Sequence, residues 1–171
     1  MALLTTEIRP AIPIDAAMLA EVHAASWQEA YAGILPPRTL MRFIARRDLG
    51  WWVRSVRGSN VLALDVEDRV VGYATVGRNR TGALPQGGEV YELYLLPEYQ
   101  GVGLGRRLFD AARQRLSSTG LDGGRRGFVV WCIEENDRAM AFYAAMGGRD
   151  VAEGTERFEK RLLNKVAFAF D

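Results

Sequence analysis

The chain has little cysteine, histidine or lysine, and each scarcity narrows its chemistry. Its 171 residues include one cysteine, Cys132, and one histidine, His23. A lone cysteine excludes an internal disulfide framework and a cysteine-rich metal site, and a lone histidine leaves no histidine-based zinc site. No metal is therefore expected. Lys160 and Lys165 are the only lysines, and 22 basic residues against 21 acidic ones give a formal charge of +1. Nucleic acids and anionic membranes require a broad basic surface, so neither is an expected partner. No apolar run approaches the roughly 18 residues that span a bilayer. The first ten residues, MALLTTEIRP, lack the basic and long apolar regions of a signal peptide. A cytoplasmic enzyme or binding domain is the class that remains.

Hydrophobic residues make up 49% and charged residues 25% of the chain, a globular composition. The length fits one domain over residues 1–171. Glu7–Ala11 reads as a short strand. Asp15 is placed to cap a helix that runs to Tyr31, with Met18, Leu19, Val22, Ala25 and Ser26 inward. A second helical stretch lies between Arg38 and Arg57, interrupted near Gly50. Val61–Val66 and Arg69–Gly77 read as a hairpin around an Asp65–Asp68 turn. Glu89–Leu96 is a strand ended by Pro97. Leu104–Ser118 is a helix, Gly127–Ile133 a strand, and Asn136–Met146 a helix capped by Asn136 and stopped at Gly147. Arg149–Glu153 and Lys165–Phe170 read as late strands. Mixed strands with interspersed helices argue for an α/β or α+β sandwich around one mixed sheet.

The strongest local signal runs from Glu89 to Arg107. A strand enters the turn Gln100-Gly101-Val102-Gly103-Leu104-Gly105-Arg106, and the turn opens a helix. A helix start leaves about four backbone N–H groups unpartnered and carries the positive end of the dipole. Glycines let the backbone come close to an anion, so the turn is a phosphate cradle by its physics, with Arg106 and Arg107 beside it. Two nucleotide motifs fail on spacing. Counting G-x-G-x-x-G from Gly101 reaches Arg106, and counting from Gly103 reaches Leu108; a P-loop needs a lysine that this turn lacks.

Gln100-x-x-Gly103-x-Gly105 resembles the Gln/Arg-x-x-Gly-x-Gly/Ala signature of the GCN5-related N-acetyltransferases, the GNAT superfamily. Glu89–Pro97 is similar to that family's fourth strand. Asn136-x-x-Ala139-x-x-Phe142-Tyr143-x-x-x-Gly147 is similar to its Asn-x-x-Ala-x-x-Phe/Leu-Tyr-x-x-x-Gly helix, and Ser26–Pro36 resembles a stretch common in bacterial members. Gly148 departs from the aromatic residue that many members carry. The resemblance implies a single-domain fold with a central mixed, mostly antiparallel sheet flanked by about four helices. It also implies transfer of acetyl from acetyl-CoA to a primary amine by direct attack in a ternary complex. The competing reading is a catalytically silent acyl-CoA-binding sensor or partner module.

For the cofactor, the resemblance points to the backbone of Leu93, Tyr94 and Leu95, the loop Gln100–Arg106, and Asn136. Tyr143 matches the tyrosine near the thioester sulfur. It follows Asn136 by two helical turns, so the two share a face, and a phenol can protonate a departing thiolate. Glu89 matches the glutamate that takes the amine proton, with Glu92 in reserve; three apart on a strand, the two are expected on opposite faces. His23, Trp27 and Tyr31 form a stripe off the expected core face of the first helix. Trp27 and Tyr31 are candidates to wall an acceptor site, or to pack on the segment after Leu35. The acceptor is a small-molecule amine or a peptide or protein amine. The late strands are free to pair across a homodimer.

Overall fold

The computed structural model describes residues 4–58, 60–120 and 123–171. Among these, one seven-stranded sheet has the order β1-β2-β3-β4-β5-β7-β6. The strands are β1 (Thr6–Pro10), β2 (Val61–Val66), β3 (Arg69–Arg78), β4 (Gly88–Leu95), β5 (Phe128–Ile133), β6 (Arg149–Phe158) and β7 (Arg161–Phe170). Only β4 and β5 pair in parallel. The helices are α1 (Ala16–Tyr31), α2 (Pro37–Ala45), α3 (Leu49–Val56), α4 (Leu104–Ser118) and α5 (Asp137–Ala145). The expected order and mixed sheet are found, with one more helix than anticipated. The stretch after Arg38 divides before Gly50, because the Asp48 side chain accepts from the Trp51 amide at 2.8 Å and starts α3 afresh.

Both faces of the sheet are covered. Trp52 of α3 packs edge-on to Tyr73 at 4.8 Å, and Leu19 and Val22 of α1 are buried on that side. On the other face Leu108, Phe109, Ala112 and Leu116, spaced along one side of α4, are buried. Phe109 meets Phe128 at 5.6 Å and Phe170 at 4.9 Å. A Cβ on Gly148 would lie 2.7 Å from the Phe170 ring and 2.8 Å from the Tyr143 carbonyl. Phe170 thus fills the space that an aromatic side chain at position 148 would need.

Four expectations need correction. Asp15 precedes α1, but its carboxylate does not cap it; it accepts from the Ile12 amide at 2.8 Å and from Arg9. The hairpin turn is tighter than Asp65–Asp68, with Glu67 and Asp68 both at positive φ. The late strands are ten residues each, longer than the expected Arg149–Glu153 and Lys165–Phe170, because they pair with each other nearly to the hairpin tip. Finally, Glu89 and Glu92 lie on the same face. Val90 pairs with Val76 and Glu92 with Thr75, which leaves Tyr91 as an extra residue in β4. The bulge resets the alternation. Glu89 opposite Gly77 and Glu92 opposite Thr75 share one side, while Leu93 and Leu95, opposite Ala74 and Gly72, take the other.

Arg9 of β1 joins Asp15 (2.7 and 3.0 Å) to Asp65 of β2 (2.8 Å). Its guanidinium holds the buried Asp15 carboxyl below the usual carboxylate range. Replacing it, as in Arg9→Met, strands a buried charge and is expected to cost about 2–4 kcal/mol, slightly under the range for a fully buried pair. A carboxylate with a lowered pKa stabilises the fold above its unfolded pKa and loses that effect as pH falls through its folded one. The difference between variant and wild type in urea melts should therefore be largest at neutral pH and shrink in acid.

Candidate functional site

β4 and β5 pair at only two positions, Gly88 with Phe128 and Glu89 with Val129. Beyond them the strands part, and a cleft of about 900 Å³ opens beside the free edge of β4. Leu93, Tyr94 and Leu95 form one wall, Asn136, Phe142 and Tyr143 of α5 another, and Gln100, Gly101, Gly103, Gly105 and Arg106 one end. The Leu96 amide donates to Val71 of β3 at 2.8 Å. Strand alternation then turns the backbone of Tyr94 toward β3, and that of Leu93 and Leu95 toward the cleft.

At its loop end the cleft has a glycine-rich helix start of the kind that can hold an anion. Gly101 and Gly103 adopt φ of 77° and 87°, and a Cβ on either would meet nothing within 4 Å. These left-handed turns bring the backbone over into α4. The Arg107 amide makes the first helical bond, to Gly103 at 3.3 Å. The amides of Leu104, Gly105 and Arg106 are left without intrahelical partners. Gly105 serves packing, since its Cβ would lie 3.3 Å from the Phe142 ring. Val102 is 70% exposed, and neither it nor the Leu104 side chain lines the cleft.

Asn136 accepts from the Ala139 amide at 3.2 Å and caps α5. Asn136 and Tyr143 both line the cleft, as their two-turn spacing implies. Burial raises the Tyr143 phenol well above its ordinary pKa, so it stays protonated at neutral pH. Cys132 is buried, its thiol pushed up to about 12 by burial, which makes it inert.

The two strand glutamates have different surroundings, and neither lines the cleft. Glu89 is 1% exposed and accepts from the Arg80 guanidinium at 2.7 and 3.3 Å and from the Arg80 amide at 2.9 Å. Arg80 also stacks on Tyr91 at 4.0 Å. Glu92 accepts from Arg47 and, at 3.0 Å, from the Tyr73 hydroxyl. His23 Nδ1 lies 3.0 Å from that hydroxyl, which completes a chain from Arg47 to the imidazole. Burial, then the Arg47 charge, pulls His23 down to about 3, so it is neutral at physiological pH.

Of the two places open to the aromatic stripe on α1, it takes the packed one, against the segment after Leu35. His23 is 1% exposed and so belongs to the core, because α3 covers that side of α1. Trp27 stacks on Phe43 of α2 at 6.4 Å, and Tyr31 meets Phe158 of β6 at 6.2 Å. Neither ring lines the cleft, though the Tyr31 hydroxyl lies 3.4 Å from that of Tyr94, which does.

The α1 residues that do line it are Ser26, Glu29 and Ala30, with Ala32 and Ile34 beyond the helix. Ser26 Oγ donates to the Leu95 carbonyl at 2.9 Å. Gln100 donates to the same carbonyl at 3.1 Å and to Glu29 at 3.0 Å, and Arg138 of α5 donates to both Gln100 and Glu29. This polar bridge joins α1, the loop and α5 across the cleft. Reading the apolar stripe alone misses it. Ser26, Glu29 and Ala30 share one face of α1 at i, i+3 and i+4, but that spacing carries no sign of the partners on the loop and on α5.

The Acetyltransferase (GNAT) family pattern matches residues 19–147. Among curated proteins, YuaI of Bacillus subtilis, named an uncharacterized N-acetyltransferase, is 34% identical over 147 residues, which cover 85% of this chain and 82% of that one. Among solved structures, the PaiA N-acetyltransferase of Thermoplasma acidophilum in complex with coenzyme A superposes with a TM-score of 0.74 at 20% identity. That match covers 95% of this chain and 98% of the other. YncA of Salmonella typhimurium with its cofactor acetyl-CoA gives a TM-score of 0.68 at 23% identity, over 96% and 92% of the two chains. A family match across most of the chain and the shared fold lead to one conclusion: the chain belongs to the GNAT acetyltransferase family.

Proposed function

We propose that the protein transfers the acetyl group of acetyl-CoA to a primary amine by direct attack within a ternary complex. The observation that carries this reading is the parting of β4 from β5 beside a cleft that ends in a glycine-rich helix start. The free amides of the first α4 turn and Arg106 suit the pyrophosphate. The β4 edge at Leu93 and Leu95 suits an amide-bearing arm, although the Leu95 carbonyl already has two donors. The cap uses Asn136 Oδ1, and among the described residues Nδ2 has no partner, so it can donate to the same arm. When bound, acetyl-CoA supplies an activated acyl carbon.

Tyr143 holds the proton for the departing sulfur. Its buried hydroxyl is kept in the donor form, and it lies on the cleft wall beside Phe142. Uptake of the amine proton is assigned to Glu92. Both carboxylates have both oxygens engaged, Glu89 by Arg80 alone and Glu92 by Arg47 and the Tyr73 hydroxyl, but Glu92 shares its strand face with Tyr94 of the cleft wall and is linked through Tyr73 to His23. Trp27 and Tyr31 back the acceptor side through the contact of Tyr31 with Tyr94.

Gly103→Glu introduces a negative charge where the cradle lies open. Calorimetry is expected to show coenzyme A affinity falling at least tenfold, equivalent to about 1.4 kcal/mol. Gly103→Ala measures the backbone strain alone and should lose less. Unchanged affinity in a folded Gly103→Glu protein would remove the loop from the site.

Tyr143→Phe keeps the ring and deletes the hydroxyl. Single-turnover acetylation across an amine panel should slow by roughly 10²-fold, with coenzyme A binding nearly unchanged. A wild-type rate would mean that another group supplies the proton.

The glutamates should separate by readout. Glu92→Gln is expected to lower kcat and flatten the acidic limb of the pH–rate profile, because an amide takes up no proton. Glu89→Gln, which weakens the pairing of a buried carboxylate with Arg80, should lower Tm and leave that limb in place. The reverse pattern would assign the base to Glu89.

A further inference from the structure

The inference concerns the acceptor and rests on the acetyltransferase reading above. The α1 side of the cleft ends at Ala32 and Ile34, and α2 begins three residues later at Pro37. The β6–β7 tip is fastened to this corner. Glu159 accepts from Thr39 at 2.8 Å and from Arg42 at 3.0 Å, and Arg161 donates to the Ile34 carbonyl at 3.4 Å. Arg38 and Arg42 of α2 and Arg46 at its C-cap, still in helical conformation, recur every four residues and are all exposed, so they share one face. Arg46 lies flat on Phe43 at 4.1 Å. Neither Arg38 nor Arg46 has an ion-pair partner among the described residues.

Together with exposed Lys160 and Arg161, these three arginines place five cations around Glu159, with exposed Asp48 two residues beyond Arg46 and capping α3. These seven side chains carry a net charge of +3 in a chain whose formal charge is +1, so the remainder is net negative. Such concentration of one sign at one end of a cleft attracts a ligand of the opposite sign.

We propose that this corner selects a peptide or protein amine whose neighbouring residues are acidic. The span of the patch favours a peptide over a small monoanionic amine. Arg38 to Arg46 covers about 12 Å of helix at 1.5 Å per residue. An extended peptide covers that distance with about four residues, so several carboxylates can each meet a guanidinium. Arg161, bonded to the last carbonyl of the cleft wall, lies where such a segment leaves the cleft.

The test uses three peptides with free amino termini, followed by four glutamates, four glutamines or four arginines. Acetylation with acetyl-CoA and binding of fluorescein-labelled versions by anisotropy are both measured. The glutamate peptide should exceed the glutamine peptide in kcat/KM at least tenfold, with the arginine peptide poorest. Added salt should erode the preference. In Arg38→Glu/Arg46→Glu the ranking should collapse or invert, while the acetyl-CoA KM holds. Turnover of all three peptides at similar rates would overturn the acidic-acceptor proposal and leave the acetyltransferase reading standing. If no amine is acetylated, that reading fails, and anisotropy still decides the surface: charge-selective binding lost in the double variant supports it, and equal or absent binding sinks it. A single-stranded oligonucleotide held by the same arginines more tightly than the glutamate peptide would reassign the surface to nucleic acid.

Discussion

Two residue pairs hold β4 to β5, and the rest of the architecture follows from how few they are. A sheet that stayed zipped would leave no cleft and no free strand edge. Because the strands part after Glu89 and Val129, the outer backbone groups of Leu93 and Leu95 need other partners. Ser26 and Gln100 satisfy the Leu95 carbonyl from two directions. Gly88 sits at the fork, where a Cβ would meet Leu116 and Phe128 at 3.2 Å. Its neighbour Glu89, clamped by Arg80, fixes the long loop that brings β4 to this point. The fork is thus held on one side by a buried carboxylate paired with an exposed arginine and on the other by close packing.

Charge in this molecule is arranged locally. Buried or half-buried carboxylates each face one arginine: Asp15 and Asp65 share Arg9, Glu89 takes Arg80, and Glu92 takes Arg47. Arginine suits this work, because its planar fork donates to a carboxylate and still stacks on a ring. Arg80 lies on Tyr91 and Arg47 on Trp51. The scarcity of lysine is consistent with that use. His23 is held neutral inside this framework by burial and the nearby guanidinium.

What the sequence made legible was mostly local. The glycine turn before α4, the Asn136 cap and the stop at Gly147 each need only a few neighbouring residues, and all three are found. The family signature extended that reading to the whole fold. The face of Glu92 was not legible, because a single inserted residue at Tyr91 reverses every later side chain and leaves no mark in composition. Nor was the burial of His23, since α1 is covered by the sheet on one side and by α2 and α3 on another, and a single-stripe reading allows one cover only. Glu29, Arg138 and Gln100 meet from three distant segments, so no spacing announced them.

The fastening of the β6–β7 tip to α2 has a consequence for biosynthesis. Thr39 and Glu159 are 120 residues apart, and Phe158 packs on Phe43 at 5.1 Å across the same divide. On a ribosome adding 5–20 residues each second, α2 waits about 6–24 s for that cover. Until then Leu40, Phe43 and Ile44 lack Phe158 and Leu163, two of the six buried residues of the cluster they join in the finished fold. The nascent chain therefore presents the apolar face of α2 uncovered until the β6–β7 hairpin emerges, a natural target for a holding chaperone.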